Sequence, residues 1–269
     1  MTPETMLSWI AQMAGEDLVA VSEQHLARVA QPRDARGGSV AVIPVVGGLM
    51  ARGMHGSFGG YPGMDSLRAR IDAAARNPEV ASIVLDIDSP GGTVSGTAET
   101  AASVAAAAQR KPVVAVANSL AASAAYWIGS QATEFVMAPN SLAGSIGVLA
   151  IHQNVAKLFE RMGVETSVMR SGPRKAEGHP FGPLDDAARD AIQARVDEAA
   201  GVFLDAVAKG RKMTRKQAQE RFGDGRVMSA REALSTGLAD REATLDEVVA
   251  GLRAGTGRAW ARRSALAFA

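Results

Sequence analysis

The stretch IVLDIDSPGGTVSGTAETAASVAAAAQRKPVVAVA, residues 83–117, decides the fold. Ile83 to Ile87 is a short apolar run rich in β-branched side chains, which predicts a buried strand. It stops at Ser89-Pro90-Gly91-Gly92, where proline withdraws a backbone donor and two glycines allow a sharp turn. Thr97 to Gln109 is alanine-rich and free of glycine and proline, so it predicts a helix. Val113 to Ala117 is a second apolar strand. Strand, helix and strand in so short a span make a βαβ unit, whose strands lie parallel in one sheet.

The same alternation extends in both directions. Before it come a strand at Val40 to Val46 and a helix at Ser66 to Arg76. After it come a helix at Ala122 to Ser130, short strands at Phe135 to Ala138 and Ile146 to Ile151, a helix at Val155 to Met162 and a strand at Thr166 to Arg170. Beyond Gly172 the character shifts: Leu184 to Lys209 reads as one long amphipathic helix, followed by shorter ones at Arg215 to Phe222, Ala230 to Leu234 and Leu245 to Leu252. The expected class is α/β, a mostly parallel sheet of βα units with C-terminal helices. The expected organisation is one catalytic domain at 39–252, an arm at 1–38 with an amphipathic stretch at Pro3 to Met13, and a basic tail at 253–269. That tail carries Arg253, Arg258, Arg262 and Arg263 and no acid. The glycine-rich loop from Met50 to Asp65, with His55, Phe58 and Tyr61, is a candidate substrate or partner surface.

Composition removes several function classes. The chain has 269 residues, 47% of them hydrophobic, enough for a core that needs no staple. It has no cysteine, which excludes thiol nucleophiles, iron–sulfur clusters and disulfides and makes a cytoplasmic, reducing location the expectation. A net charge of +1 gives no global reason to expect nucleic acid. The longest apolar runs, such as Val104 to Ala108, are too short to span a bilayer, and Met1 to Ala14, with Glu4, lacks the basic start of a secretory signal; no membrane association is expected. Phosphate-loop, dinucleotide-binding, zinc-protease and Gly-x-Ser-x-Gly motifs are absent. The four histidines are His25, His55, His152 and His179, too few and too scattered to suggest a metal site, so neither a metal nor a cofactor is expected.

Three segments carry candidate chemistry. Glycines after the strand at 86–92 let backbone N–H groups face an incoming oxyanion, although such a segment is also simply a tight turn. In Asn118-Ser119-Leu120-Ala121-Ala122-Ser123-Ala124-Ala125-Tyr126, Ser123 falls in the first turn of a helix among small residues, an accessible place favourable to negative charge. The alternative is a helix cap, a need that Asn118 or Ser119 meets better. The loop from Arg170 to Phe181 contains Lys175, one of six lysines in a chain with 23 arginines. A lysine acts as general base where burial favours the uncharged amine, which arginine cannot offer; the plainer reading is a solvated loop cation.

Taken together, the segments resemble the signal peptide peptidase A family of serine proteases, within the Clp-protease and crotonase-like fold. The resemblance runs from about Val40 to Asp246 and rests on Ser-Pro-Gly-Gly at 89–92, Ser-x-x-Ala-Ser-Ala-Ala-Tyr at 119–126, Gly-Ser-Ile-Gly-Val at 144–148 and Ser-Gly-x-x-Lys at 171–175. It implies a βα spiral, Ser123 as nucleophile, Lys175 as general base and Ser145 holding the lysine amine. It further implies an oxyanion hole from the Gly91-Gly92 turn and the Ala124 N–H, protein or peptide substrates, and a homo-oligomer in which lysine meets serine either within one subunit or across an interface. Family members that clear signal peptides carry a membrane anchor, which this sequence lacks. A member of this size looks like the head-maturation proteases of tailed phages, which cut scaffold and capsid proteins, or like a host cytosolic protease of the same family. Three other readings compete: a crotonase-type acyl-CoA enzyme, a Ser-His-Asp arrangement using His152 or His179, and an inactive shell component.

Overall fold

The computed structural model describes residues 39–56, 59–61 and 63–255. The expectations for the arm at 1–38, for Phe58 and for the tail beyond Gly255 lie outside these residues.

The predicted βαβ unit is present, with longer strands than the apolar runs suggest. Strand β1 (Ser39–Val46) precedes a small antiparallel hairpin, β2 (Met54–Gly56) with β3 (Gly59–Tyr61), inside the glycine-rich loop. Helix α1 (Met64–Arg76), β4 (Val80–Ser89), α2 (Thr97–Ala108), β5 (Val113–Ala122), α3 (Ala124–Gly129), β6 (Glu134–Met137) and β7 (Leu142–Gly144) follow. A short helix α4 (Ala156–Arg161) and the long α5 (Asp186–Gly210) lead to α6 (Arg215–Phe222), β8 (Val227–Ser229), α7 (Ala230–Thr236), β9 (Arg241–Glu242) and α8 (Leu245–Arg253). The fold is mixed α/β around a parallel sheet in the order β1-β4-β5-β6-β9; β7 pairs in parallel with the far end of β5, and β8 pairs antiparallel with β7.

Strand β5 does not end at Ala117, because it serves two neighbours. Its first half pairs with β6, and Leu120 to Ala122 pair with β7. Ile87 lies opposite Ala117, but Ser89 lies opposite Ala121, so the ladder is irregular where Asn118 enters and Asn118 Nδ2 donates to Asp86 Oδ1 at 3.1 Å. That irregularity carries the chain to Ser123. Two predicted strands do not form. Residues 146–151 and 166–170 join no ladder, and Leu149, Ile151 and Met169 are largely exposed. Apolar β-prone sequence becomes a strand only beside an open edge; the left-handed backbone at Ser145 turns the chain away once β7 has paired.

Side-chain alternation splits the core in two. Ile83, Leu85 and Ile87 of β4 face the layer that holds α1, α2, α3 and α5, while Val84, Val114, Val116 and Val136 face α8 through Val248. Met64, Leu67, Ile71 and Ala75 form the buried face of α1 at helical spacing. Covering on both faces explains why these strands read as continuous apolar runs rather than alternating ones. No helix among the described residues is long and apolar enough to cross a membrane.

A polar staple, buried at Tyr126 and reaching the surface at Asp240, ties α3 to the C-terminal segment. Tyr126 Oη donates to Leu238 O at 2.7 Å, Arg211 grips Asp240 with two bonds of 2.7 and 2.9 Å, and Asp240 Oδ2 accepts the Phe135 N–H. Beside it, burial lifts the Glu134 carboxyl to about 7, against the pull of Arg241, whose Nε donates to Oε1 at 2.5 Å. The same carboxyl in the unfolded chain ionises near 4.5, so between these values the folded protein holds the extra proton. The stability that this group contributes is therefore full below pH 4.5 and lost as pH rises through about 7. Thermal unfolding of Glu134→Gln is expected to vary less between pH 5 and 8 than that of the wild type; parallel profiles for the two would refute this assignment.

Candidate active site

Strand β4 ends in a turn that only glycine fits. Ser89, fully buried, donates through Oγ to Gly47 O at 2.7 Å and accepts the Gly91 N–H at 3.1 Å. Gly91 has φ +101°, and a Cβ there would lie 2.7 Å from Ser123 Cβ and 2.8 Å from Ala122 O. A Cβ on Gly92 would lie 1.8 Å from Leu49 O, because the segment after β1 bonds to both sides of this turn, Leu49 N–H to Gly91 O and Thr93 N–H to Leu49 O. The Ser-Pro-Gly-Gly segment is thus clamped between Leu49 and Ser123. The N–H groups of Gly92 and Ala124 have no acceptor among the described residues.

Ser123 caps α3 with φ +53° and ψ −123°, a conformation that a non-glycine residue rarely adopts. Its hydroxyl makes no capping bond, so the cap reading for Asn118 and Ser119 fails: both lie within β5. The strained backbone is held from both sides, by the Ser123 N–H to Gly144 O at 2.8 Å and by the Trp127 N–H to Ser123 O at 2.9 Å. Ser145 repeats the strain, with φ +55° and its N–H on Arg226 O at 2.8 Å. Gly144 leaves no room for error, since a Cβ on it would meet Arg226 O at 2.7 Å.

Ser123, Ser145, Gly92 and Ala124 line one cleft of about 450 Å³, whose walls include Val94, Trp127, Val148 and Phe203. Its lining contains no charged side chain. Lys175 is elsewhere: it is exposed, in a turn closed by its N–H on Gly172 O at 3.2 Å, and does not line the cleft. Neither His152 nor His179 lines it; His152 Nε2 bonds to His179 O at 3.1 Å, and His179 Nδ1 accepts the Phe181 N–H at 3.1 Å. A single chain therefore brings Ser123 beside two backbone donors that have no acceptor among the described residues, and Lys175 lies outside that cleft. A crotonase-type site needs carboxylates over the acyl carbon, and the cleft holds none.

Sequence reasoning did not single out Leu49, Trp127, Phe203 or Arg226 as parts of this site. Trp127 had a legible signal, standing four residues after Ser123 on the same helix. Phe203 and Arg226 come from segments distant in sequence, and only the packing of α5 and β8 brings them here.

The profile of peptidase family S49 matches residues 105–258. "Capsid assembly protease C" of Escherichia phage lambda is 34% identical over 214 residues, 78% of this chain and 48% of that protein. "Head-tail preconnector protein GP5" of Enterobacteria phage P21 is 36% identical over 171 residues, 63% of this chain and 34% of that one. "Protease 4" of Salmonella typhi is 32% identical over 216 residues, 80% of this chain and 34% of its own length. The chain thus spans half or less of these relatives. Among solved structures, a mutant of the 1510-N membrane-bound stomatin-specific protease superposes with a TM-score of 0.52 at 16% identity, covering 79% of this chain and 83% of that one, a likeness of fold.

Proposed function

Because this chain belongs to peptidase family S49, we propose that it is a serine endopeptidase in which Ser123 is the nucleophile and Lys175 of a neighbouring copy is the base. Ser123 Oγ attacks the peptide carbonyl carbon as its proton passes to the uncharged Lys175 amine. The carbonyl oxygen becomes an oxyanion facing the N–H groups of Gly92 and Ala124. The ammonium then protonates the departing amine, leaving an acyl ester on Ser123. Water attacks the ester as its proton passes to the same amine, the bond from the acyl carbon to Ser123 Oγ breaks, and the ammonium returns the proton to Oγ as the carboxylic acid leaves. Ser145, in the same cleft, orients the incoming amine.

The observation that carries this reading is the strained Ser123 lying against the glycine turn beside two unengaged backbone donors. Strain of this kind is retained where function requires it. The absence of charge in the cleft, together with an exposed Lys175, supports a base delivered by another copy. Exposed Leu149, Ile151 and Met169 on the segment before Lys175 supply apolar surface for that contact. The likeness to two phage head proteins supports a substrate among phage scaffold and capsid proteins, and a site of action in the host cytoplasm or the immature particle.

Mixing two inactive proteins tests the shared site. Ser123→Ala retains Lys175, and Lys175→Ala retains Ser123, so a mixed assembly contains complete pairs. Cleavage of an unfolded protein is expected to return when the two are dissociated and reassembled together, to a fraction of the wild-type rate. No recovery in assemblies shown to be mixed by mass would place the base within one chain.

A further inference from the structure

Ser145 lines the cleft in a conformation that it does not hold by itself. Its φ of +55° is costly for a serine, and its hydroxyl makes no hydrogen bond among the described residues. Its N–H donates to Arg226 O at 2.8 Å, and Gly144 before it packs so closely on the same carbonyl that a Cβ would lie 2.7 Å away. That carbonyl stands at the end of the ladder between β7 and β8, where Gly144 lies opposite Val227 and β8 is only three residues long. Such an end frays unless the chain beyond it is held.

What holds it is the turn before β8. Asp224 lies between Gly223 and Gly225, and Gly225, at φ +78°, borders the cleft. Asp224 Oδ1 accepts the Arg226 N–H at 3.1 Å, and Oδ2 meets Arg226 Nε. The bond from that N–H is the largest cause holding the Asp224 carboxyl below the ordinary carboxylate range. The ion pair is exposed at both ends and adds little. The bond to the N–H fixes one peptide plane of Arg226, and the carbonyl of the next plane is the one that Ser145 uses. Two flanking glycines would otherwise leave this backbone free to turn.

We propose that Asp224 is a positioning residue: through the Arg226 carbonyl it keeps Ser145 in its left-handed conformation, with the hydroxyl where the lysine amine arrives. The assignment rests on the reading in which Ser123 is the nucleophile and Ser145 orients the amine. Asp224 itself does not line the cleft, so its loss acts on the chemical step and not on peptide binding.

The test measures kcat and KM on one peptide substrate for the full-length assembled wild type, Asp224→Ala, Asp224→Asn, Ser145→Ala and the double variant Ser145→Ala/Asp224→Ala. Asp224 is exposed, so these changes at 224 leave the core untouched. Asp224→Ala is expected to lower kcat about 10-fold with KM unchanged. Asp224→Asn loses the charge but keeps an oxygen for the Arg226 N–H, and is expected to recover most of that loss. With Ser145 already replaced, removing Asp224 is expected to change kcat by less than about 2-fold, because no hydroxyl remains to be misplaced. An unchanged kcat for Asp224→Ala, an Asn variant as slow as the Ala one, or the full loss repeated in the Ser145→Ala background overturns the assignment and leaves the nucleophile reading standing. If Ser145→Ala is too slow to measure, the Asn comparison decides. Cleavage by Ser123→Ala, or a wild-type kcat for Ser145→Ala, overturns the underlying reading and this assignment with it.

Discussion

Ser123→Ala is expected to abolish cleavage of an unfolded protein, lowering kcat by ~10⁴-fold or more, with the assembly intact. The size follows from the absence of a substitute. The chain has no cysteine, and of the other two cleft hydroxyls Ser145 does not stand at the start of a helix beside the glycine turn, while Thr97 is buried with its Oγ1 donating to Thr93 O at 2.8 Å. Lys175→Ala is expected to match it, because nucleophile and base act as one unit and losing either costs nearly as much as losing both. Gel and intact-mass analysis of the three proteins, each with the same substrate, gives the result. Equal cleavage by all three, with each folded and assembled, would remove Ser123 and Lys175 from the chemistry.

Gly91→Ala is expected to cost ~10²–10³-fold in kcat, the effect of losing an oxyanion donor. Two physical terms act together. The backbone at φ +101° disfavours any side chain, and the new methyl would sit 2.7 Å from Ser123 Cβ and 3.0 Å from Ala124 N. Relief requires the turn and the start of α3 to separate, which moves the Gly92 and Ala124 donors apart. Strain alone costs about 1–3 kcal/mol of stability. Gly237→Ala separates strain from clash: Gly237 caps α7 at φ +80°, outside the cleft, and the nearest atom to a new Cβ is 3.6 Å away. That variant is expected to melt earlier while keeping the wild-type kcat. If Gly91→Ala cleaved as fast as Gly237→Ala, the turn would have no part in catalysis.

Much of this architecture was legible in residue order because it depends on local periodicity. The runs at 40–46, 83–87 and 113–117 and the alanine-rich span at 97–109 specify strand and helix by apolar pattern and helix propensity alone, and their ends differ from the structure by a few residues. The failures at 146–151 and 166–170 have one cause. Their composition suits a strand, but strand formation requires a partner edge, and β7, the strand that precedes them, is already paired with β5 on one side and β8 on the other. Conversely β8 and β9, of three and two residues, have no periodicity to read and exist because an edge is available to them.

For the candidate site, the order of residues by itself determined the ingredients: a serine among small residues after a strand, two glycines after another strand, a second serine at 145 and a scarce lysine at 175. Those are local choices, visible because each residue type has few other uses at such positions. Only the tertiary structure decided which of them meet. The parallel pairing of β4 with β5 sets Gly91 against Ser123, the bond from Ser123 N–H to Gly144 O joins β7 to the same point, and the docking of α5 brings Phe203 into the lining of the same cleft. Lys175, in an exposed turn outside the cleft, is left apart. The reason is physical: close approach of backbones and the closing of a cleft are long-range packing events, and a sequence records the pieces of such a contact without recording their distance.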